Sequence, residues 1–295
     1  MSKESIAFLG AGLMAVPMVS RLLDAGYCVH CWNRTLSKCE PMQKKGAKVH
    51  KTSASAMKSA ERYIFVMLSA APAIDQVLLK DAQAKAELKG KVIVVMSTIS
   101  PEESKEFAAK IEKAGSLGYV ESPVLGSVPH ATKGVLSILT STNEEKTFTD
   151  LKPLLSVLGN PRYMGKITAA STYKVALNQM LAVNTAALGY SLGYVRRAGH
   201  DPSLFMEVLQ GGVLKCAYYS FKGQPMIDRK YTPTNFTTKL LHKDVMLAVN
   251  GGKKLGLNTI VQEGLAGLIQ QTIDSGDGEK DFSIIYNTID KPTLH

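Results

Sequence analysis

The sequence is poor in the residues that build disulfide frameworks and metal sites. Its 295 residues include only four cysteines and six histidines. Cys28 and Cys31 form a C-x-x-C, but both fall inside a predicted strand, where residues three apart point to opposite faces. The histidines show no ligand spacing such as H-x-x-x-H. We therefore expect reduced, packed thiols and no bound metal.

Long hydrophobic runs are also lacking. The longest uninterrupted apolar segments are far shorter than a membrane span, so we expect no transmembrane helix. The chain enters a predicted strand within its first residues, and we therefore expect no signal peptide. With 45% apolar and 20% charged residues, the composition is that of an ordinary globular protein, and we expect a cytoplasmic location.

Acidic residues are too few to balance the basic ones, and the net charge is +10. Nucleic-acid-binding proteins usually concentrate such an excess in a stripe or a tail. Here the basic residues are spread along the chain, with only scattered doublets such as Arg196-Arg197. We therefore expect a solvated basic surface that favours small anionic ligands, and no nucleic-acid partner.

A glycine-rich segment lies between a predicted strand and a predicted helix. Residues 6–9 are apolar, residues 13–25 place apolar side chains at helical spacing, and residues 27–32 predict a second strand. The intervening G-A-G-L-M-A at 10–15 follows the G-x-G-x-x-[G/A] pattern within a βαβ unit. A pyrophosphate is expected to bind the glycine turn and the helix N-terminus, through Gly10, Ala11, Gly12, Leu13 and Met14.

The end of the second strand indicates which dinucleotide is bound. NAD-binding proteins usually place Asp or Glu about twenty residues past the glycines, where it accepts a hydrogen bond from the ribose 2′-hydroxyl. This chain has Asn33-Arg34-Thr35 there, followed by Lys38. Arg34 can hold a 2′-phosphate through its planar guanidinium. We therefore expect NADP(H) as the cofactor, with Asn33, Arg34, Thr35 and Lys38 in its site.

Strand and helix patterns alternate through the first half of the chain. Strands are predicted at 48–50, 63–68, 92–96, 118–121 and 135–140, and helices at 53–59, 101–114 (with Ser100 as N-cap) and 146–158. The alternation predicts an α/β fold with a doubly wound, mainly parallel Rossmann-type sheet.

The second half of the chain changes character. Residues 168–198 predict one long helix, and no strand pattern returns after it. We expect a nucleotide-binding domain at 1–164 and an all-helical substrate and dimerisation domain at 165–295. Residues 181–194 are apolar on more than one helix face, which predicts a homodimer or tetramer built through the helical domain.

Four later segments carry more specific signals. They are MSTISP at 96–101, ESPVLGSVPHATKGVLSIL at 121–139, MGKITAASTYKVALNQML at 164–181 and HKDVMLAV at 242–249. With the glycine motif and Asn33-Arg34-Thr35, they resemble the β-hydroxyacid dehydrogenase family, in the same order over essentially the whole chain. That family includes 3-hydroxyisobutyrate dehydrogenases, tartronate semialdehyde reductases and glyoxylate/succinic semialdehyde reductases. The resemblance implies NADP-dependent hydride transfer between nicotinamide and a small β-hydroxyacid or its semialdehyde.

The resemblance also implies roles for individual residues. Lys174 takes the place of the family's catalytic lysine and would relay the proton at the substrate oxygen, with Asn178 on the same helix face one turn later. The nicotinamide and its ribose are implied to contact the strand-end residues Met67, Leu68 and Thr98. Lys243, in the K-D motif, is implied to approach the cofactor. Asp244 is expected to have a structural role, such as capping or pairing.

Residues 121–139 resemble the family's D-A-P-V-S-G-G loop, which binds the substrate carboxylate. In this chain Leu125 replaces the family's serine, and Ser127 replaces the second glycine. The pocket is therefore expected to be more apolar than is usual, while backbone N–H groups and the Ser127 hydroxyl remain able to hold a carboxylate. The implied substrate contacts are Ser122, Leu125, Gly126 and Ser127.

Two other functions compete with this interpretation. Imine reductases share the fold and the cofactor motif, and a chromatin-associated reader keeps the fold and the NADP site without redox activity. Both generally lack the lysine found here at position 174, so Lys174 disfavours them. The sequence leaves open which substrate is used, in which direction, and whether the oligomer is a dimer or a tetramer. His130 is as well explained by an ordinary loop position as by a substrate contact.

Overall fold

Among the described residues, a nine-stranded, mainly parallel sheet occupies the first part of the chain, and the second part is mainly helical. The computed structural model describes residues 3–292 and divides after Lys174 into two units. This division lies inside the long helix, whereas the sequence analysis placed the boundary between residues 164 and 165. The α/β architecture with a Rossmann-type sheet followed by helices is confirmed.

The central strands follow the order β3-β2-β1-β4-β5-β6 and are all parallel, and β8 continues the sheet antiparallel to β6. β7 and β9 both pair with β8. The strands are β1 (Lys3–Leu9), β2 (Tyr27–Trp32), β3 (Lys48–Val49), β4 (Tyr63–Val66), β5 (Val92–Val95), β6 (Gly118–Glu121), β7 (Val124–Leu125), β8 (Leu136–Ser141) and β9 (Gly159–Gly165). In such a sheet, ligands bind at the carboxyl ends of the strands.

The first unit contains helices on both faces of the sheet and the start of the long helix. They are α1 (Ala15–Asp24), α2 (Glu40–Lys44), α3 (Ser53–Lys58), α4 (Ala71–Asp75), α5 (Ala82–Ala86), α6 (Pro101–Lys113), α7 (Val128–Lys133), α8 (Glu145–Leu155) and α9 (Ala169–Arg197). Those of the second unit are α10 (Pro202–Gly211), α11 (Ala217–Ile227), α12 (Thr238–Lys254), α13 (Ile260–Thr272) and α14 (Ile285–Ile289). Short helical turns occur at 36–39, 76–80, 273–277 and 282–284.

The central strands are buried on both faces because alternate side chains enter two different cores. In β1, Ile6 and Phe8 belong to one core, whereas Ala7 and Leu9 belong to the other. α1 covers the first core with side chains at i, i+3, i+4 and i+7, from Ala15 to Leu22. The continuous apolar runs of these strands are the pattern expected for a parallel sheet covered by helices.

Local signals predicted several element boundaries correctly. Ser100 caps α6 in a capping box with Glu103, as the sequence predicts. The fourth strand ends at Val66, two residues before its predicted end. The sequence analysis did not predict β9, the edge strand that contains Pro161 and lacks hydrophobic alternation.

Helices of the second unit enclose two smaller apolar cores. One lies among α9, α12 and α13, and the other joins α9 to α11 and α14. None of the helices described within residues 3–292 combines the length and the apolar character needed to cross a membrane. The cytoplasmic location expected above stays a prediction.

Candidate active site

The glycine turn joins β1 to α1 at the carboxyl edge of the sheet. Gly10 has φ +120°, and a Cβ at this position would lie 2.2 Å from the Met67 carbonyl oxygen. Only glycine therefore lets this turn approach the end of β4 so closely. A Cβ on Gly12 would meet nothing within 4 Å, so this position faces open space. In the described part of the chain, no side chain caps the first turn of α1. The turn thus fits a pyrophosphate that approaches Gly12 and the helix N-terminus.

The segment after β2 is tied to the glycine turn by a side chain. The amide N–H of Ala11 donates to Asn33 Oδ1 over 3.2 Å, and Asn33 Nδ2 donates to the Thr35 carbonyl over 2.8 Å. Arg34 and Lys38 are exposed beside this link. Because both cations extend into solvent at the same edge as the glycine turn, they are available to an anionic group of a bound dinucleotide.

The ends of β4 and β5 carry the residues implied to face the nicotinamide. Met67 and Leu68 follow β4 and are half-buried, and Thr98 follows β5 and is half-buried. The Leu68 N–H donates to Ser97 Oγ over 2.8 Å, which fixes the two strand ends against each other. Sequence reasoning did not identify Ser97, because a serine after a strand is common.

Lys174 lies in the first unit and lines a narrow cleft whose cavity volume is only about 10 Å³. Its side chain is only 8% exposed, and Nζ donates to the Val124 carbonyl over 2.8 Å. The cleft is lined by Val95, Ser97, Thr98, Ile99, Ser104, Tyr119, Glu121, Pro123, Ser171 and Lys174. The predicted catalytic lysine and Thr98 are therefore brought to one cleft at the carboxyl edge of the sheet.

Hydroxyl groups supply most of the other polar atoms in this cleft. The Tyr119 hydroxyl lies 2.9 Å from Ser104 Oγ, and both side chains are buried. Burial raises the pKa of Tyr119 well above its usual value, so the phenol stays neutral. Glu121 contributes the carboxylate of the cleft and is 2% exposed. The sequence analysis quoted this glutamate without assigning it a role.

Two of the predicted substrate contacts, Ser122 and Ser127, make hydrogen bonds within the first unit. Ser122 is fully buried, and its hydroxyl donates to Thr140 Oγ1 over 3.5 Å, inside the fold. Both the N–H and the hydroxyl of Ser127 lie close to His130 Nδ1, at 3.3 Å and 3.0 Å. Because an N–H can only donate, Nδ1 accepts, and a neutral His130 carries its proton on Nε2. Leu125 is half-buried and Gly126 is exposed.

In the second unit, Asp244 holds two of the predicted site residues. Asn178 Nδ2 donates to Asp244 Oδ2 over 2.5 Å, and Lys243 Nζ pairs with Asp244 Oδ1 at 2.7 Å. Asp244 is 2% exposed and Asn178 is 5% exposed. The pairing role expected for Asp244 is confirmed. Because both partners share one carboxylate, their positions in this unit depend on each other.

The described residues show neither a disulfide nor a cluster of metal-binding side chains. All four cysteines are free thiols, with Cys31 and Cys39 buried. Among residues 3–292, no group of three or more His, Cys, Asp or Glu side chains is arranged to hold a metal ion. Glycines, hydroxyls, basic groups and the buried carboxylate of Glu121 thus supply the polar part of the candidate site in the first unit.

Comparison with known proteins places the chain among oxidoreductases. The family model described as the NAD binding domain of 6-phosphogluconate dehydrogenase matches residues 5–172. The model described as the NAD-binding domain of NADP-dependent 3-hydroxyisobutyrate dehydrogenase matches residues 168–289. The 2-hydroxy-3-oxopropionate reductase of Escherichia coli K12 is 32% identical over 98% of this chain and 98% of its own length. The chain belongs to the β-hydroxyacid dehydrogenase family.

A further relative supports this membership, and a solved structure shows the same fold. Glyoxylate/succinic semialdehyde reductase 2 of Arabidopsis thaliana, a chloroplastic protein, is 30% identical over 97% of this chain and 79% of its own length. A 3-hydroxyisobutyrate dehydrogenase structure from Mycobacterium tuberculosis, determined with L-serine, superposes with a TM-score of 0.85 at 23% identity, covering 98% of this chain and 99% of that one. As a family member, the chain is an NAD(P)-dependent dehydrogenase or reductase that acts on CH–OH groups.

Proposed function

We propose that the chain interconverts a small β-hydroxyacid and its semialdehyde with NADP(H), and that Lys174 relays the proton at the substrate oxygen. The observation that carries this proposal is the buried Lys174 amine in the cleft at the carboxyl edge of the sheet. An amine shielded from bulk water and held by a main-chain carbonyl is well placed to exchange a proton with a substrate oxygen. When bound, the nicotinamide cofactor supplies or accepts the hydride.

The preference for NADP(H) is proposed from the charges after β2. Arg34 and Lys38 are exposed, and the position that usually holds an Asp or Glu carries Asn33. A carboxylate there would repel a 2′-phosphate, whereas a guanidinium binds it through two parallel hydrogen bonds. Asn33 adds support because its side chain links the Thr35 carbonyl, next to Arg34, to the Ala11 N–H in the glycine turn.

The proposed substrate is a small anion with an apolar portion. Gly126 is exposed in the substrate loop, so its backbone N–H is proposed as a donor to the substrate carboxylate. The Ser127 hydroxyl, oriented by His130 Nδ1, is proposed as the second polar contact. Leu125 presents an aliphatic side chain beside them, which favours a substrate with an apolar substituent. Asn178 and Lys243, both held by Asp244, are proposed to contact substrate and cofactor.

A substrate panel tests the proposal. Purified protein is incubated with NADPH and, separately, glyoxylate, succinic semialdehyde, tartronate semialdehyde or a cyclic imine, while the nicotinamide absorbance is followed. We expect oxidation of NADPH with at least one semialdehyde and none with the imine. The Leu125→Ser variant, which restores the family's serine, should raise kcat/KM for the more polar tartronate semialdehyde. Turnover of the imine alone would favour an imine reductase, and binding of NADPH without turnover would favour a non-catalytic reader.

A homodimer, alone or within a tetramer, is proposed from an apolar groove on the second unit. The groove of about 270 Å³ lies between α9 and α13 and is lined by Val183, Ala186, Ala187, Val261, Gly264, Leu265 and Leu268. Light scattering tests the proposal with a matched pair. Val261→Glu places a charge in the groove and should give monomers. Ile260→Glu lies next to it, at a residue that does not line the groove, and should leave the oligomer intact. A monomeric wild-type protein would refute it.

A further inference from the structure

Glu121 is a buried acid whose contacts converge on the start of the helix that carries Lys174. It ends β6, and its side chain is 2% exposed. Oε1 accepts from the Thr168 N–H over 3.0 Å, and Oε2 accepts from the Ser171 N–H over 3.3 Å. Ser171 Oγ lies 2.9 Å from Glu121 Oε1 and 3.0 Å from the Thr168 carbonyl. One side chain thus receives three donors from the residues around the first turn of α9.

The backbone at this point is strained, and Glu121 contacts the strained residue. Thr168 has φ +86°, which a β-branched residue rarely adopts. Such a conformation persists only when surrounding contacts hold it. The N–H of Thr168 is one of the groups that Glu121 accepts, so the carboxylate stabilises the bend through which the chain enters α9.

The segment that follows β6 reaches Lys174 directly. Val124, three residues after Glu121, accepts the hydrogen bond from Lys174 Nζ, and Lys174 lies three residues after Ser171 on α9. The segment 121–124 therefore holds the helix start at two points, one on the backbone and one on the amine. A shift of the first turn would move the Lys174 amine relative to Val124 and to the cleft.

We propose that Glu121 is a positioning residue that fixes the Lys174 amine in the cleft by holding Thr168 and Ser171 at the start of α9. The part of this inference that concerns catalysis rests on the proposed function, because the proton relay by Lys174 is itself proposed. A carboxylate suits the task because both of its oxygens accept, and because its charge is favourable at a helix N-terminus. Glutamine has the same shape, but its amide NH₂ would face at least one of the three donors.

Kinetics of a matched pair of variants test the inference. Glu121→Gln removes an acceptor from the contacts to Thr168 and Ser171. Ser141→Ala removes a different hydrogen bond at the same helix end, in which Ser141 Oγ accepts from the Ala170 N–H over 2.9 Å. A misplaced catalytic group typically costs about a hundredfold. We expect Glu121→Gln to lower kcat by about 10- to 100-fold with little change in the KM for NADPH, while Ser141→Ala retains kcat.

A second measurement does not depend on turnover. Reductive methylation, followed by peptide mass spectrometry, reports how fast each lysine amine is modified. Lys174 should be modified several-fold faster in Glu121→Gln than in the wild type or in Ser141→Ala. Lys222, 4% exposed and paired with Asp281, serves as the internal control for global opening and should keep its rate.

The outcomes distinguish a failure of the positioning role from a failure of the proposed function. Wild-type labelling of Lys174 in Glu121→Gln, or kcat equal to that of Ser141→Ala, would overturn the positioning role. Equal acceleration at Lys174 and Lys222 would also overturn it, because it would indicate general loosening of the fold. If the wild type reduces no semialdehyde, the proposed function fails, and the labelling rates alone still decide whether Glu121 positions the amine.

Discussion

Asn33 hydrogen-bonds two loops at once: its side chain accepts from Ala11 in the glycine turn and donates to the Thr35 carbonyl. Arg34 lies between Asn33 and Thr35 in sequence, so its backbone is held while its side chain extends into solvent. The order of the loop therefore does not depend on the guanidinium. Substitution of Arg34 should test its charge without disturbing the turn beside it.

Arg34→Ala should weaken NADPH binding much more than NADH binding. Hydrogen bonds to charged groups contribute about 1.5–3 kcal/mol, so the loss for NADPH should be roughly ten- to a hundredfold. NADH, which lacks the 2′-phosphate, serves as the control ligand. Dissociation constants from nicotinamide fluorescence provide the measurement. Equal affinity of the wild-type protein for both cofactors would contradict the assignment.

Alanine at Gly10 should mainly reduce stability, whereas alanine at Gly12 should mainly weaken NADPH binding. Gly10→Ala places a Cβ 2.2 Å from the Met67 carbonyl at φ +120°, and should cost about 1–3 kcal/mol or more in stability. Gly12→Ala meets open space and should leave the melting temperature nearly unchanged, but should weaken NADPH binding about tenfold, or about 1.4 kcal/mol. Thermal unfolding and NADPH titration of both variants distinguish the two effects. A Gly12→Ala variant with wild-type affinity would show that no phosphate approaches this position.

Lys174→Ala should lower kcat by about 10²–10⁴-fold, the range typical of general acid–base groups. NADPH affinity should scarcely change, because the proposed phosphate contacts lie at the glycine turn and Arg34. Lys174→Arg should also fail, since a guanidinium stays protonated and cannot exchange the proton. If Lys174 only attracts an anionic substrate, the Arg variant should recover much of the rate, and the Ala variant should lose mainly KM. Steady-state kinetics of both variants decide between these roles.

The buried pair Lys222–Asp281 should be far more important for stability than an exposed pair in the same unit. Lys222 Nζ lies 2.6 Å from Asp281 Oδ1 and 4.4 Å from the centroid of Phe282. Lys222→Met leaves the Asp281 charge buried and should cost about 3–5 kcal/mol. The control, Lys239→Met, breaks an exposed pair with Glu279 and should cost at most about 1 kcal/mol. Denaturant unfolding measures both, and equal losses would contradict the expectation.

The fold should become less stable below about pH 6.5. Burial, with His50 and Lys48 nearby, lowers the pKa of His30, and burial and Lys48 lower the pKa of His50. As the pH falls through 6.5, the unfolded chain takes up protons before the folded one, so the free energy of unfolding decreases. Above this pH both states are neutral at these histidines, and the effect vanishes. Thermal unfolding of His30→Gln should show a weaker decrease in acid than the wild type, and an unchanged decrease would exclude the pair as its source.

Much of the first unit could be predicted from sequence because its signals are local. The apolar runs of β1, β4 and β5 and the capping box of Ser100 each lie within a few residues. The edge strand β9 was missed because its pairing with β8 comes from the tertiary fold rather than from its own pattern. The sequence analysis also missed α4 and α5, because a helix of five residues is too short to show a clear helical period.

In the candidate site, too, residues within local motifs could be predicted from the sequence, whereas contacts across the fold could not. The positions of Gly10, Asn33 and Lys174 followed from motifs. Several contacts at the site did not, because Val124 reaches Lys174, and Glu121 reaches Thr168 and Ser171, across the fold. A buried glutamate that ends a strand carries no local mark that distinguishes it from an exposed one. Likewise, the contact between Ser127 and His130 depends on how the short helix α7 begins.

Lys174 Nζ donates a hydrogen bond to the backbone carbonyl of residue 124. Every amino acid supplies a carbonyl, so neither the side chain at position 124 nor that at 125 is needed for the hydrogen bond. Leu125 can therefore be exchanged while Lys174, the proposed proton-transfer group, keeps this hydrogen bond. If the proposed roles hold, substrate preference and proton transfer can be changed separately at these adjacent residues of one loop.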